Sequence, residues 1–372
     1  MSLLYSDVEE DLRGAVRSLL ADRCAPASVL ARCETGEPYD LGLWRTLTRE
    51  LGVTSLHVPE RLGGQGASLR ETAVVMEELG RAVAPVPYLG HSVLAVGALL
   101  AAESSVESRV TASLVARLAG GELIAALAVP LSMWPGADFP TSVRASGDGV
   151  LTGRASAVAD AFAADLLVAP ALGPDGPSLY AVTSGFAVTP AVSLDLTRPV
   201  ADVVFDGAAG ELVASGDAAV AALSSALSVG AGLLAAEQLG VAEQCLESTV
   251  AYLKERRQFG RPVGSFQALK HRLADLWHEI VTARAAARHA ADALAVRDPD
   301  APVAVAVAQS HCAAVAVHAA EECVQLHGGI GMTWEHPAHL WLKRAKADEI
   351  ALGTPGRHRA ALAPLVNLPG PS

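Results

Sequence analysis

The sequence predicts an α+β protein in three parts: a helical region over residues 1–122, a β region over 123–212 and a helical bundle over 213–372. Three observations carry that prediction. Apolar residues recur at helical spacing in the first and last parts, and short Val/Ala/Leu runs broken by Gly, Pro and Asp fill the middle. Hydrophobic residues make up 51% of the chain but aromatics only 4%, so Ala, Val and Leu must supply the packing, as in long Ala-rich helices. At 372 residues the chain also exceeds what one hydrophobic core usually holds, so several domains are expected.

In the first part, Pro and Gly punctuate the chain at His57-Val58-Pro59-Glu60 and at Leu62-Gly63-Gly64-Gln65-Gly66. The stretch that follows, SLRETAVVMEELGRAV, places Leu69, Ala73, Met76, Leu79 and Val83 four, three, three and four residues apart, the stripe of a one-sided helix. In the second part the runs LIAALAVP, SVRAS, VLTGRASAV, DLLVAPAL, SLYAVTS, FAVTPAV and DVVFDG are separated by turn signals such as Ser146-Gly147-Asp148-Gly149 and Gly173-Pro174-Asp175-Gly176. Many short strands at regular spacing predict a small β-barrel or sandwich rather than βαβ units. No GxGxxG or Walker sequence follows any of them, which removes support for a Rossmann or P-loop nucleotide site.

The third part returns to long helices. Leu239, Ala242, Leu246, Val250 and Leu253 share one face, Leu269, Leu273, Leu276 and Ile280 repeat the rhythm, and Val303–Ala320 is apolar nearly all round, as a central bundle helix would be. The uncharged run Ala218–Ala236 is long enough to span a bilayer, but its Ala, Ser and Gly content fits a buried bundle helix better.

A net charge of −12 without a Lys/Arg-rich block argues against a nucleic-acid surface. The N-terminus MSLLYSDVEEDLRGAV has acids where an export signal has basic residues, and five cysteines without a CxxC pair suit reduced thiols, so a cytoplasmic protein is expected. His311 and His318 lie seven residues apart without a carboxylate at ligand spacing, so no metal site is expected, and no GxSxG or HExxH motif offers a nucleophile.

Two connecting segments stand out. RRQFGRPVGSFQ, residues 256–267, carries Arg256, whose guanidinium suits a phosphate, and Phe259, whose ring suits a flat partner. VQLHGGIGMTWEH, residues 324–336, carries Gln325 and the pair Gly328-Gly329, which lets a ligand or another backbone approach closely. By themselves the two also read as an ordinary helix connection with a solvated arginine and as a helix C-cap followed by a turn.

Both segments, with the α-β-α order, resemble the acyl-CoA dehydrogenase family over nearly the whole chain. The resemblance runs from LGVTSLHVPERLGGQGASLRETAVVMEELGRAVAPVP through VADAFAADLLVAPA and SLDLTRPVADVVFDG to YLKERRQFGRPVGSFQALKHRLADL and ECVQLHGGIGMTWEHPAHLWLKRAK. It implies an N-terminal helical domain, a middle β-barrel and a C-terminal four-helix bundle, assembled as a dimer of dimers around FAD. It further implies that Arg256, Phe259, Gln267, Gln325, Gly328 and Gly329 reach across an interface to the adenosine diphosphate half of a neighbour's FAD.

The flavin-ring half departs from the family. Ala128-Val129-Pro130 stands where a Thr/Ser-Glu-Pro strand covers the flavin, and Ala157, Val158 and Ala159 stand where a Trp-x-Thr element cups its ring. The family's Tyr-Glu-Gly-Thr loop, whose Glu removes the α-proton of the thioester, reads Ala351-Leu352-Gly353-Thr354, and leucine accepts no proton. The alternative base position of some members falls on Gly230, beside Ala231 where an arginine is usual. These losses resemble the smaller subunits of actinobacterial heterotetrameric dehydrogenases acting on steroid side chains. The resemblance thus implies a larger homologous partner carrying the base, a steroid-class acyl-CoA substrate and an electron-transfer flavoprotein as acceptor. The competing expectation is a self-sufficient homotetramer that uses Glu237 or Glu349 as a relocated base.

Overall fold

The computed structural model describes residues 3–105 and 108–368. The N-terminal part holds α1 (Asp7–Arg23), α2 (Pro26–Cys33), α3 (Leu41–Glu50), α4 (Leu69–Ala82), α5 (Val96–Ser105) and α6 (Arg109–Ala119). Both α1 and α4 open with capping boxes, Ser6 with Glu9 and Ser68 with Glu71, each cap worth about 1 kcal/mol. The stripe on α4 is buried at Ala73, Met76 and Leu79, but Glu77 and Glu78 are buried as well, so the helix is not one-sided. The reason is its place between α1 and the first bundle helix. Its carboxylates meet partners there rather than water: Tyr5 donates to Glu77 at 2.6 Å, and Arg17 donates to Glu78 at 2.6 and 2.8 Å.

A π-helical segment, Leu89–Ala95, leads into α5. Its wider turn brings the Gly90 N–H to Asp160 Oδ2 at 2.7 Å, while Tyr39 donates to Oδ1 at 2.9 Å. A Cβ at position 90 would lie 2.7 Å from that carboxylate, so the residue must be glycine for the helical part to close on the sheet.

The middle part comprises β1 (Ala125–Leu127), β2 (Val143–Ala145), β3 (Val150–Ala159), β4 (Leu166–Gly173), β5 (Gly176–Val182), β6 (Phe186–Pro190), β7 (Val200–Ala209) and β8 (Glu211–Ser215). They form one sheet in the order β6-β7-β3-β2-β4-β5-β8, with β1 parallel to β4. No β6–β8 pair closes the ring among the described residues, so the expected barrel is a single sheet open along that seam. The pairings are antiparallel except β1–β4 and β2–β4, as short connections between consecutive strands require.

The last part contains α7 (Asp217–Glu255), a hairpin of β9 (Arg257–Gln258) and β10 (Arg261–Pro262), α8 (Gln267–Ala295), α9 (Ala301–His327), α10 (Ala338–Ile350) and α11 (Pro355–Leu365). With 39 residues, α7 is about 58 Å long, enough to run past α4 and α5 and then pack along α8 and α9. Among the described residues two helices, α7 and the span Ala301–Met332, are long and apolar enough to cross a membrane, yet most of each apolar window is buried within the protein. Their Ala and Gly residues let neighbouring backbones approach closely: a Cβ on Gly240 would lie 1.9 Å from the Glu77 carbonyl.

Candidate cofactor surface and active-site position

The two segments singled out in the sequence meet at one end of the bundle. Arg256 caps α7, its N–H bonded to the Tyr252 carbonyl at 2.9 Å, and the hairpin then turns at Phe259 and Gly260, both with positive φ (51° and 76°). A phenylalanine in the left-handed region stores strain, and here it holds the ring 90% exposed. Arg261 lies over the Phe266 ring at 3.9 Å, fixing the base of the hairpin where Gln267 opens α8. Gln325 sits in the last turn of α9 and Gly328, φ 64°, ends it. Tyr252 of α7 stacks on His327 of α9 with centroids 4.5 Å apart, which joins the two segments. Arg256, Phe259, Gln267, Gln325, Gly328 and Gly329 are all exposed, beside the exposed apolar Ile330 and Met332. The surface offers a guanidinium, an amide, a ring and open backbone, and its donors face outward rather than into a cavity of this chain.

The position expected to hold the base is the opposite kind of place. Leu352 is 0% exposed, as is Ala351, and its left-handed backbone (φ 54°) directs its N–H onto the Leu131 carbonyl at 2.7 Å. His358 Nε2 donates to the Leu352 carbonyl at 3.0 Å, and burial pushes that imidazole below its ordinary range, so it is a neutral donor. Gly230 faces the same point: a Cβ there would meet Leu94 at 2.5 Å and Leu352 at 3.1 Å. Both base positions therefore converge, and leucine side chains fill the space between them. The two altered flavin-ring segments also come together, through a bridge between Pro130 and Val158. Leu131 N–H donates to the Ala157 carbonyl at 2.9 Å, so one residue ties the Ala157–Ala159 segment to Leu352.

Of the alternative bases, Glu237 is fully committed elsewhere. Arg198 reaches its two oxygens at 2.7 and 2.6 Å, and Arg344 reaches one at 2.8 Å. Arg344 also binds Asp195 and, at 2.6 Å, the Thr197 hydroxyl, while Arg198 binds Asp348 at 3.0 Å. All five charged groups are buried. Burial would raise the Glu237 carboxyl, but Arg198 and Arg344 outweigh it and hold the group below its usual range. Asp348 is pushed well above its usual range by burial and then by Glu237. Glu349 is half-buried on α10 and pairs with Lys346 at 3.5 Å, one turn back. Neither carboxylate offers a free base beside Leu352. His311 and His318 meet Thr282 at 2.9 Å and Glu279 at 2.7 Å respectively.

This network escaped sequence reasoning because its members come from α7, α10 and the loop before β7, and no spacing rule joins them. The stretch SLDLTRP, which supplies Asp195, Thr197 and Arg198, is the one local signal.

Comparison with known proteins gives a consistent family. The acyl-CoA dehydrogenase N-terminal domain profile matches residues 6–116 and the C-terminal domain profile residues 220–364. The acyl-CoA dehydrogenase IpdE2 of Mycobacterium tuberculosis is 37% identical over 344 residues, covering 92% of each chain. A chain of the ChsE4–ChsE5 complex from Mycobacterium tuberculosis superposes with a TM-score of 0.85 at 29% identity over the full length of both chains. A chain of the Tcur3481–Tcur3483 steroid ACAD does so with a TM-score of 0.83 at 30% identity, over 97% of this chain and 98% of that one.

Proposed function

Because the chain belongs to the acyl-CoA dehydrogenase family, oxidoreductases acting on CH–CH bonds, we propose that it works as the base-lacking subunit of a heteromeric enzyme. In this reading it lends Arg256, Phe259, Gln267, Gln325, Gly328 and Gly329 to the adenosine diphosphate half of an FAD seated in a larger homologous partner. The partner supplies the carboxylate that removes the α-proton. A bound FAD would supply the acceptor for the hydride leaving the β-carbon. A guanidinium and open backbone N–H groups suit the pyrophosphate, and the presented Phe259 ring suits adenine.

The observation that carries the reading is the sealed base position. Leu352 has no exposed surface, its N–H is spent on Leu131, and Leu94 occupies the space beside Gly230. A flavin ring and a thioester do not fit there without displacing packed leucines, and no carboxylate stands in place to accept a proton. Similarity to chains of the ChsE4–ChsE5 complex and of a steroid ACAD named for two components supports a two-component assembly and a steroid-class acyl-CoA substrate. The homotetramer with a relocated base finds no support in Glu237, held by two arginines, or in Glu349, held on the surface of α10.

The test is the visible absorption spectrum of the chain purified alone and after co-expression with a related, base-bearing chain. The expected result is a colourless chain and a complex with about one flavin per unlike pair. A chain that is yellow on its own, with one flavin each, would refute the assignment.

A further inference from the structure

We propose that Cys323 is a peroxide-reactive thiol and that Cys245 resolves its oxidised form into a disulfide joining α7 to α9. All five cysteines are free, but their surroundings differ. Cys24 and Cys312 point their thiols at carbonyls, those of Ala82 at 3.8 Å and Ala283 at 3.4 Å, which keeps the proton on sulfur. Burial pushes the half-buried Cys33 thiol up as well. Cys323 faces donors instead. Its sulfur lies 3.7 Å from the Ser248 hydroxyl and 3.7 Å from Nδ1 of His327, one turn further along α9. The same Nδ1 is 2.6 Å from the Cys323 carbonyl, and because a carbonyl only accepts, Nδ1 carries a hydrogen on the side facing the cysteine. Tyr252 and His336 pack against the His327 ring, with centroids 4.5 and 4.4 Å from it, and hold it in place.

Cys245 of α7 completes the cluster. Its thiol donates to the Cys323 sulfur, and that bond, with the one from His327, outweighs burial and holds Cys323 well below the ordinary thiol range. Cys245 itself is pushed up by burial and by the same bond, so the pair divides into a thiolate and a thiol. Behind His327 the remaining titratable neighbour is His336, itself held low by burial. Both sulfurs are buried, yet Ser248, Tyr252 and His336 beside them are half-buried, and Gln325 and Gly328 nearby on α9 are exposed. So thin a cover suits a hydroperoxide as small as hydrogen peroxide and excludes bulky disulfide reagents. The Cys323 thiolate attacks one peroxide oxygen and breaks the O–O bond, giving Cys323–SOH and a hydroxide that takes up the proton Cys323 had lost. Cys245 sulfur then attacks the Cys323 sulfur, and the hydroxyl leaves as water with the Cys245 proton. Two thiols lose two electrons in all, and one peroxide becomes two waters. The site is independent of the flavin assignment.

Hydrogen peroxide added to the full chain, in whatever assembly it purifies, tests this when followed by alkylation in denaturant and peptide mass spectrometry. The expected product is a Cys245–Cys323 linked peptide, reversed by dithiothreitol, with Cys24, Cys33 and Cys312 still alkylated. Its rate should be nearly flat between pH 6 and 8, whereas an ordinary thiol gains about tenfold per pH unit there. In Cys245→Ser the reaction should stop at a Cys323 sulfenic acid that dimedone traps. His327→Gln, which removes the positioning donor, should slow oxidation at pH 6.5 by at least about tenfold and restore the steep pH dependence. Cys323 oxidising no faster than Cys312 in the wild-type chain would overturn the site, and this result requires no variant to fold. Oxidation of Cys323 without a link to Cys245 would overturn the resolving role, and a steep wild-type pH profile would overturn the thiolate.

Discussion

Replacing Leu352 by glutamate restores the family's catalytic residue type, yet the structure predicts a costly change with no gain of activity. The side chain at 352 is fully enclosed; Leu94, Gly230 and the Leu131 carbonyl donate no hydrogen bond to a carboxylate, and the His358 Nε2–H is already spent on the Leu352 carbonyl. Leu352→Glu and Leu352→Gln both lose the apolar transfer of a buried leucine, about 1.5–3 kcal/mol. They differ in the carboxyl, which must take up a proton to remain inside. From an ordinary pKa near 4.3, protonation at pH 7 spans about 2.7 units at ~1.36 kcal/mol each, or about 3.7 kcal/mol, and at pH 5 only about 1 kcal/mol. The sign follows from linkage: the folded-state pKa lies above the unfolded one, so the glutamate penalty is absent below about pH 4 and grows as pH rises toward the folded value. Urea unfolding followed by far-ultraviolet circular dichroism at pH 5 and pH 7 measures the Glu–Gln difference directly, because the wild-type pH dependence cancels. Acyl-CoA turnover with an artificial electron acceptor should remain at background in both variants. A Glu–Gln difference that stays near zero at pH 7, or turnover gained by Leu352→Glu alone, would show a solvated, substrate-accessible pocket and refute the reasoning.

Removing Arg344 leaves Asp195 and Glu237 buried with too little positive charge, and Arg344→Met should cost about 3–5 kcal/mol in urea unfolding. Adding Glu237→Met to it should recover part of that loss, whereas additive costs would mean the pair is not coupled. Asp348 has a folded-state pKa raised by burial and Glu237, so wild type should lose stability relative to Asp348→Asn as pH rises above about 4. Parallel stability–pH curves for the two would show that Asp348 is ionised in the folded protein. Arg256→Ala removes an exposed guanidinium far from any core, so it should leave the unfolding midpoint unchanged while lowering the flavin content of the assembled pair. Unchanged flavin would count against the cross-interface role.

The helix–sheet–helix order was legible because it rests on local physics. Period, turn chemistry and capping signals such as Ser68 with Glu71 lie within a few residues of one another and need no partner to be read. The one-sided reading of α4 failed for the same reason: spacing shows an apolar stripe but cannot show that Glu77 and Glu78 will meet Tyr5 and Arg17 on the other face. The open seam between β6 and β8 was not legible, since it depends on where those two strands end relative to each other.

The sequence by itself determined the family, through long motifs, and the absence of a carboxylate at position 352, which needs only the residue's identity. The tertiary structure decided what that absence means. It packs Leu94 and Leu352 over Gly230, so the vacancy is filled rather than merely unmanned. It also binds Glu237 to Arg198 and Arg344, residues 39 and 107 positions away, which converts the nearest candidate base into a fixed ion pair. The physical reason is range: a proton acceptor is defined by its chemistry, but its freedom to act is set by charges and burial that distant segments supply only after folding.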